Sequence, residues 1–164
     1  ETLFDLKKKG SLIGIDLQGF IRTKNSKNVL INSPWEEKEE TLGLTHYLKA
    51  DGVEAEFLTG ESNLISAAKI LKSYGPKEVI ITHKDGVLVY ADNQIFEEPF
   101  KLEKIIGRSG RGDTCGASYV YMRLTSGPGE STKWAAAATS LKMESDTPLK
   151  RTKHEIEDRA NEYK

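Results

Sequence analysis

Gly107-Arg108-Ser109-Gly110-Arg111-Gly112-Asp113-Thr114-Cys115-Gly116-Ala117-Ser118-Tyr119 is the stretch on which the reading of this chain turns. Gly110 and Gly112 lie two residues apart, an acid follows, and apolar residues then recur at helical spacing, which describes a tight loop opening into a helix. The first N–H groups of a helix have no partner within it and the helix dipole adds partial positive charge there, so such a corner holds an anion by backbone alone. Glycine lets that backbone approach the anion with no Cβ in the way. Asp113 is then the anomaly, because a carboxylate beside an anion site repels the ligand unless it has chemistry to perform. Accepting the proton of a substrate hydroxyl next to a phosphate is such chemistry. The bland alternative is an acid that favours the start of a helix and does nothing else. Arg111-Gly112-Asp113 also spells an adhesion tripeptide, a reading set aside on the expectation that a loop-to-helix corner is buried and cannot be displayed.

Working outward, the pattern predicts a helix from about Asp113 with Ala117, Val120, Tyr121 and Leu124 on one face, stopped by Gly127-Pro128. A second helix carries Trp134, Ala137, Ala138 and Leu141, and a third starts at a capping box of Thr152 with Glu155 and carries Ile156, Ala160 and Tyr163. Upstream, Glu78 to Thr82 reads as a strand, Lys84-Asp85-Gly86 turns into Val87 to Tyr90, and Gln94 to Phe96 adds an antiparallel strand. Before these, Ser62 or Asn63 caps a helix whose stripe is Leu64, Ala67, Ala68 and Leu71, and Gly75-Pro76 stops it. Glu54 to Leu58 is a helical turn closed by Gly60, His46 to Ala50 a strand ending at Asp51, and Glu36 to Thr45 a short acidic helix. Residues 2–9 end a helix at Gly10, Ser11 to Asp16 form a buried strand, Asp16 to Phe20 turn, and Thr23 to Pro34 make a loop or edge hairpin. Strands alternating with helices predict an α/β fold of three layers, α/β/α, with a mostly parallel sheet and an antiparallel hairpin near the end. Ligands of such sheets bind beyond the carboxyl ends of strands, where the glycine loop falls.

With 24 basic and 25 acidic residues among 164, the formal charge is −1, which supports neither nucleic acid nor an anionic membrane as the main partner. The single cysteine, Cys115, makes no intramolecular disulfide and fits a reducing, cytoplasmic setting, where it is expected to pack as a small buried residue. No apolar run approaches the roughly 20 residues needed to cross a bilayer. His and Cys pairs lack metal-ligand spacing, and Trp134 and Tyr121 are expected in the core. The chain opens mid-helix without an initiator Met, so a fragment is expected.

Several motifs in one order carry a resemblance: Asp16-Leu17-Gln18-Gly19-Phe20, Asp51-Gly52-Val53-Glu54, Ile80 to Gly86, and Gly110-Arg111-Gly112-Asp113 opening an Ala-rich helix. That order resembles the carboxyl-terminal portion of a carbohydrate kinase of the PfkB, or ribokinase-like, family, over nearly the whole chain. The resemblance implies a single nucleotide-binding and catalytic domain over residues 1–164, lacking the amino-terminal part and sugar lid. It implies ATP-dependent phosphorylation of a hydroxyl on a small sugar, polyol or nucleoside. Gly110, Arg111 and Gly112 would form the anion hole and Asp113 would be the base. His83, Lys84 and Gly86 would border the nucleotide. Asp51 and Glu54, with Asp51 standing where the family usually has Asn, would help place magnesium. The alternatives are a non-catalytic nucleotide- or anion-binding module and an inactive stable fragment of the kinase. An apolar patch is expected beside the strands of Leu12 and Val79, and with it self-association, such as a homodimer.

Overall fold

The computed structural model describes residues 2–163 and divides them into two compact units, one of residues 2–81 with 90–93 and one of 82–89 with 94–163. The first contains α1 (Thr2–Lys8), β1 (Gly14–Asp16), α2 (Gln18–Ile21), β2 (Arg22–Lys24), β3 (Leu30–Asn32), α3 (Lys38–Leu42), β4 (Tyr47–Asp51), α4 (Gly52–Thr59), α5 (Leu64–Ser73) and most of β5 (Glu78–Thr82). The second holds most of β6 (Gly86–Ala91), then β7 (Gln94–Pro99), α6 (Arg111–Arg123), α7 (Pro128–Met143) and α8 (Lys153–Ala160). The larger sheet runs β1-β4-β5-β6-β7 and is mostly parallel, with the antiparallel hairpin at its end. β1 pairs parallel with β4 in the register Ile15 to Leu48.

In the first unit, β4 and β5 are buried almost throughout, the signature of strands covered on both faces. Leu48, Ala50, Val79, Ile80 and Ile81 fill the interior with Ala67, Ala68 and Leu71 from α5. That helix begins at Asn63, whose Oδ1 accepts the Ser66 N–H at 3.0 Å. Apolar exposure at Leu12 agrees with expectation, whereas Val79 is buried, because β5 lies inside the sheet rather than at its edge. The strand expected from Ser11 covers only Gly14–Asp16, and the turn after it is the short helix α2. Within 22–34, the expected loop or hairpin is a separate two-stranded antiparallel sheet, β2 with β3.

In the second unit α6 packs on α7, and α7 packs on α8 and β7. The sequence predicts an apolar stripe on α7, but its four consecutive alanines, Ala135 to Ala138, and nearly every residue from Ser131 to Met143 are buried. Small side chains let neighbours approach this helix from all sides. The inner face of α6 is also not the predicted one: Cys115 and Tyr119 are buried, one helical turn apart, whereas Ala117, Tyr121 and Leu124 are exposed. Of the two expected core aromatics, Trp134 is buried and Tyr121 is not. The capping box at the start of α8 forms as expected, with Thr152 Oγ1 accepting from Glu155 N and Glu155 Oε2 from Thr152 N.

Tyr163 ties the end of the chain to this unit. Its buried hydroxyl accepts the Lys101 N–H at 3.2 Å and lies 3.3 Å from Ser140 Oγ on α7. Tyr163→Phe strands the Lys101 N–H at almost unchanged volume, while Ser140 Oγ keeps its bond to Ala136 O, so it should cost roughly 1–3 kcal/mol. Chemical denaturation checks this; a midpoint equal to wild type would show that water replaces the hydroxyl without loss.

Candidate active site

The start of α6 is built by backbone. Gly110 sits at the N-cap with φ +76°, a left-handed conformation that suits glycine, and no side chain caps the helix. Arg111 N–H donates to Arg108 O at 3.2 Å and Thr114 N–H to Gly110 O at 3.0 Å. The N–H groups of Gly112 and Asp113 have no partner among the described residues. Two unsatisfied donors therefore face outward at the positive end of a 13-residue helix.

The loop leading there is held by the far end of α7. The N–H groups of Ile106 and Gly107 both donate to Met143 O, at 2.8 and 3.1 Å. A Cβ on Gly107 would come within 2.7 Å of Ser145 O, so only glycine permits the approach. A cavity of about 340 Å³ results, with Ser109, Gly110, Asp113, Thr114, Lys142 and Asp146 among its walls. Asp113 is exposed in it and has no ion pair or hydrogen bond among the described residues. This corrects the expectation of burial at the corner. The tripeptide Arg111-Gly112-Asp113 forms the first turn of α6, so its helical geometry, and not burial, sets it apart from an extended adhesion loop.

His83 follows β5. Its N–H donates to Gly86 O at 2.9 Å, closing the turn in which Lys84 and Asp85 are exposed and Gly86, the first residue of β6, is buried. His83 Nε2 is shielded from solvent, lacks a hydrogen bond and lies 3.7 Å from Glu97 Oε1. Burial lowers its pKa, Glu97 and Asp85 oppose the shift, and Arg111 adds to it. Arg111 and His83 are thus within electrostatic reach of each other. Lys84 instead extends into solvent, 3.6 Å from Asp85.

Asp51 and Glu54 belong to the first unit, where they form a reciprocal cap on α4: Asp51 Oδ1 accepts Glu54 N–H and Glu54 Oε2 accepts Asp51 N–H, both at 2.8 Å. Glu54 is 2% exposed, and its Oε1, without a hydrogen bond, lies 3.6 Å from Arg22 Nη2. Lys49, 8% exposed on β4, bridges Asp16 at 3.0 Å and Glu54 at 3.9 Å. Burial raises the Glu54 pKa, against the opposing pull of the Asp51 N–H and Lys49.

Sequence reasoning singled out neither Lys49, Arg22 nor Lys142. A signal existed for Lys49, which interrupts the apolar run Tyr47-Leu48-Lys49-Ala50 of β4, whereas the alanine-rich α7 gives none for Lys142. A lysine is rarely buried without a partner to justify it. Among the described residues no group of three His, Cys, Asp or Glu side chains could hold a metal, and no helix is long and apolar enough to cross a membrane.

The family described as pfkB family carbohydrate kinase matches residues 18–147. A pyrophosphate-dependent myo-inositol-1 kinase, converted by mutation into a myo-inositol-3 kinase, is 34% identical with a TM-score of 0.87, covering 98% of this chain and 57% of that one. A pyrophosphate-dependent kinase in the ribokinase family, complexed with a pyrophosphate analog and myo-inositol, is 35% identical with a TM-score of 0.86, covering 95% of this chain and 56% of that one. The Arabidopsis thaliana ribokinase complexed with ribose and ATP, at 16% identity and a TM-score of 0.75 over 96% of this chain and 50% of that one, shares the fold. This chain therefore spans about half the length of these proteins. No curated protein matches it.

Glu54 yields a test of the buried network. Its folded pKa lies above its unfolded value, so its contribution to stability is fully present below the unfolded value and lost as pH rises through the folded one. The Tm of wild type minus that of Glu54→Gln should therefore fall as pH is raised from about 4 toward neutrality. A difference that grows with pH would mean that the cations around Glu54 outweigh its burial.

Proposed function

Because this chain belongs to the pfkB family of carbohydrate kinases, we propose that it supplies the donor-binding and catalytic portion of a cytoplasmic enzyme that phosphorylates a hydroxyl of a small sugar or polyol. The observation that carries the reading is the uncapped start of α6, where free N–H groups of Gly112 and Asp113 adjoin an unpaired Asp113 carboxylate. In the proposed reaction Asp113 takes the acceptor's hydroxyl proton. The oxygen's electron pair forms the new bond to the terminal phosphorus, while the bond from that phosphorus to its bridging oxygen breaks and the leaving phosphate keeps the pair. The two N–H groups hold negative charge on the transferring oxygens, and Arg111 adds a guanidinium beside them.

Asp51 and Glu54 fit magnesium as acceptors for its bound waters. One oxygen of each is committed to the cap, while Glu54 Oε1 is buried and lacks a hydrogen bond. Magnesium keeps several waters and takes few protein ligands, so two carboxylates are enough for it. Magnesium carried by a phosphoryl donor would neutralise charge on its phosphates.

Two donors remain in view. ATP follows from the resemblance in sequence. Inorganic pyrophosphate is favoured by the relatives at 34 and 35% identity, both pyrophosphate-dependent and one bound to myo-inositol. Assays of the intact protein with myo-inositol as acceptor and each donor in turn separate them, and a pyrophosphate kinase should give at least tenfold greater kcat/KM with pyrophosphate, about 1.4 kcal/mol.

Asp113→Asn tests the base. It keeps size while removing the proton acceptor, so kcat should fall at least about a hundredfold with donor affinity changed only a few fold. Near-normal turnover with both substrates saturating would sink the assignment and leave a binding module, or a helix-start acid, in its place.

A further inference from the structure

We propose that Lys142, near the end of α7, is the cationic arm of the phosphate site at the start of α6 and binds the phosphoryl oxygens of the donor together with the N–H groups of Gly112 and Asp113. The inference rests on the reading of that site as the donor site and adds a residue to it.

Three observations carry it. Lys142 is only 3% exposed, yet it lines the cavity beside Gly110 and Asp113. A Cβ built on Gly110 would lie 3.7 Å from Lys142 Cε and 3.9 Å from Asp113 Oδ2, so the ammonium-bearing carbon and the proposed base flank one point. Finally, the ammonium is under-used: Nζ donates to Ser145 O at 3.2 Å and has no ion pair among the described residues. An ammonium has three N–H donors, and a buried charge without an acceptor is costly. One backbone carbonyl satisfies one of them. Phosphoryl oxygens delivered into the cavity would satisfy the others and supply the missing opposite charge.

The structural alternative is that Lys142 only complements the negative end of the α7 dipole, where a basic residue in the last turn is ordinary. That role is filled equally by an exposed lysine, so it accounts neither for the burial of Lys142 nor for its place on the cavity at the start of α6. Asp113 and Asp146 share the cavity and oppose a bare anion, so the ligand that suits it is a phosphate donor carrying magnesium, with Lys142 fixing its orientation.

The test uses the intact protein and inorganic pyrophosphate with magnesium as the probe. Lys142→Met keeps length and apolar stem, and should weaken pyrophosphate binding in calorimetry by about ten- to a hundredfold, raising the donor KM more than it lowers kcat. Lys142→Arg should recover most of the affinity. Pyrophosphate binding by Lys142→Met equal to that of wild type, with only Tm lowered, overturns the inference and leaves Asp113 as base untouched. Should Lys142→Met fail to fold, the wild-type protein suffices: the Lys142 side-chain resonances must shift on titration along with the amides of residues 110–114. Amide shifts without a lysine shift defeat the role of Lys142 alone, and shifts in neither defeat the donor site as well.

Discussion

An α-helix that starts without a side-chain cap leaves donors that something else must satisfy, and the second unit is arranged around that deficit at α6. Asp51 caps α4, Asn63 caps α5 and Thr152 caps α8, each through a side-chain bond to the first turn, whereas α2, α3 and α7 share with α6 the lack of a side-chain cap. At α6 the N-cap is a glycine in a left-handed conformation, which turns the chain but offers no acceptor. Keeping such a corner in place requires support from outside the helix. It comes from Met143 O, which receives two N–H groups from the approaching loop, and from Gly107, whose missing side chain allows the contact.

Charge is handled differently in the first unit. There, Lys49, Asp16, Glu54 and Arg22 form a chain of ion pairs at the ends of β1 and β4, so that the buried lysine and the buried glutamate each have an opposite charge within 4 Å. Removing one member of such a pair strands the other, at a cost of roughly 3–5 kcal/mol. The network's work is therefore partly structural, since the same Glu54 carboxyl accepts the Asp51 N–H in the cap on α4. Lys142 in the second unit has no comparable partner, and the contrast between the two buried lysines is what separates a structural charge from one left available to a ligand.

Much of this was legible in the sequence, because local rules were obeyed. Gly60, Asn63 and the Thr152–Glu155 box end or start helices where they should, and Glu78-Val79-Ile80-Ile81-Thr82 is a buried strand as its composition demands. The corner at Gly110 to Asp113 could be read as a helix opening, although the helix begins at Arg111, two residues before the expected acid. What escaped notice depended on long-range packing. The face of α6 that turns inward, Cys115 and Tyr119, was hidden because Ala117, Tyr121 and Leu124 make an equally good stripe, and only the partner helix chooses between them. The burial of Lys142 was likewise unreadable from its own helix, since an alanine-rich segment gives no sign of how many neighbours will surround it.

A donor without a nucleoside has to draw all its binding from phosphate oxygens, because it offers no base to stack and no ribose to hydrogen-bond. Backbone N–H groups at a helix start give direction but only partial charge. Full charges fixed in place supply what remains, and burial makes them count by excluding the water that would screen them. A lysine suits this as a compact point charge, whereas an arginine presents a planar fork better matched to a bidentate clamp. In the proposed donor site the α6 corner offers both kinds: Arg111 within the first turn, and Lys142 from α7. On this argument the cationic arm and the loop that admits it belong to one device, and the choice of phosphoryl donor follows from how much of the binding is assigned to charge rather than to a nucleoside pocket.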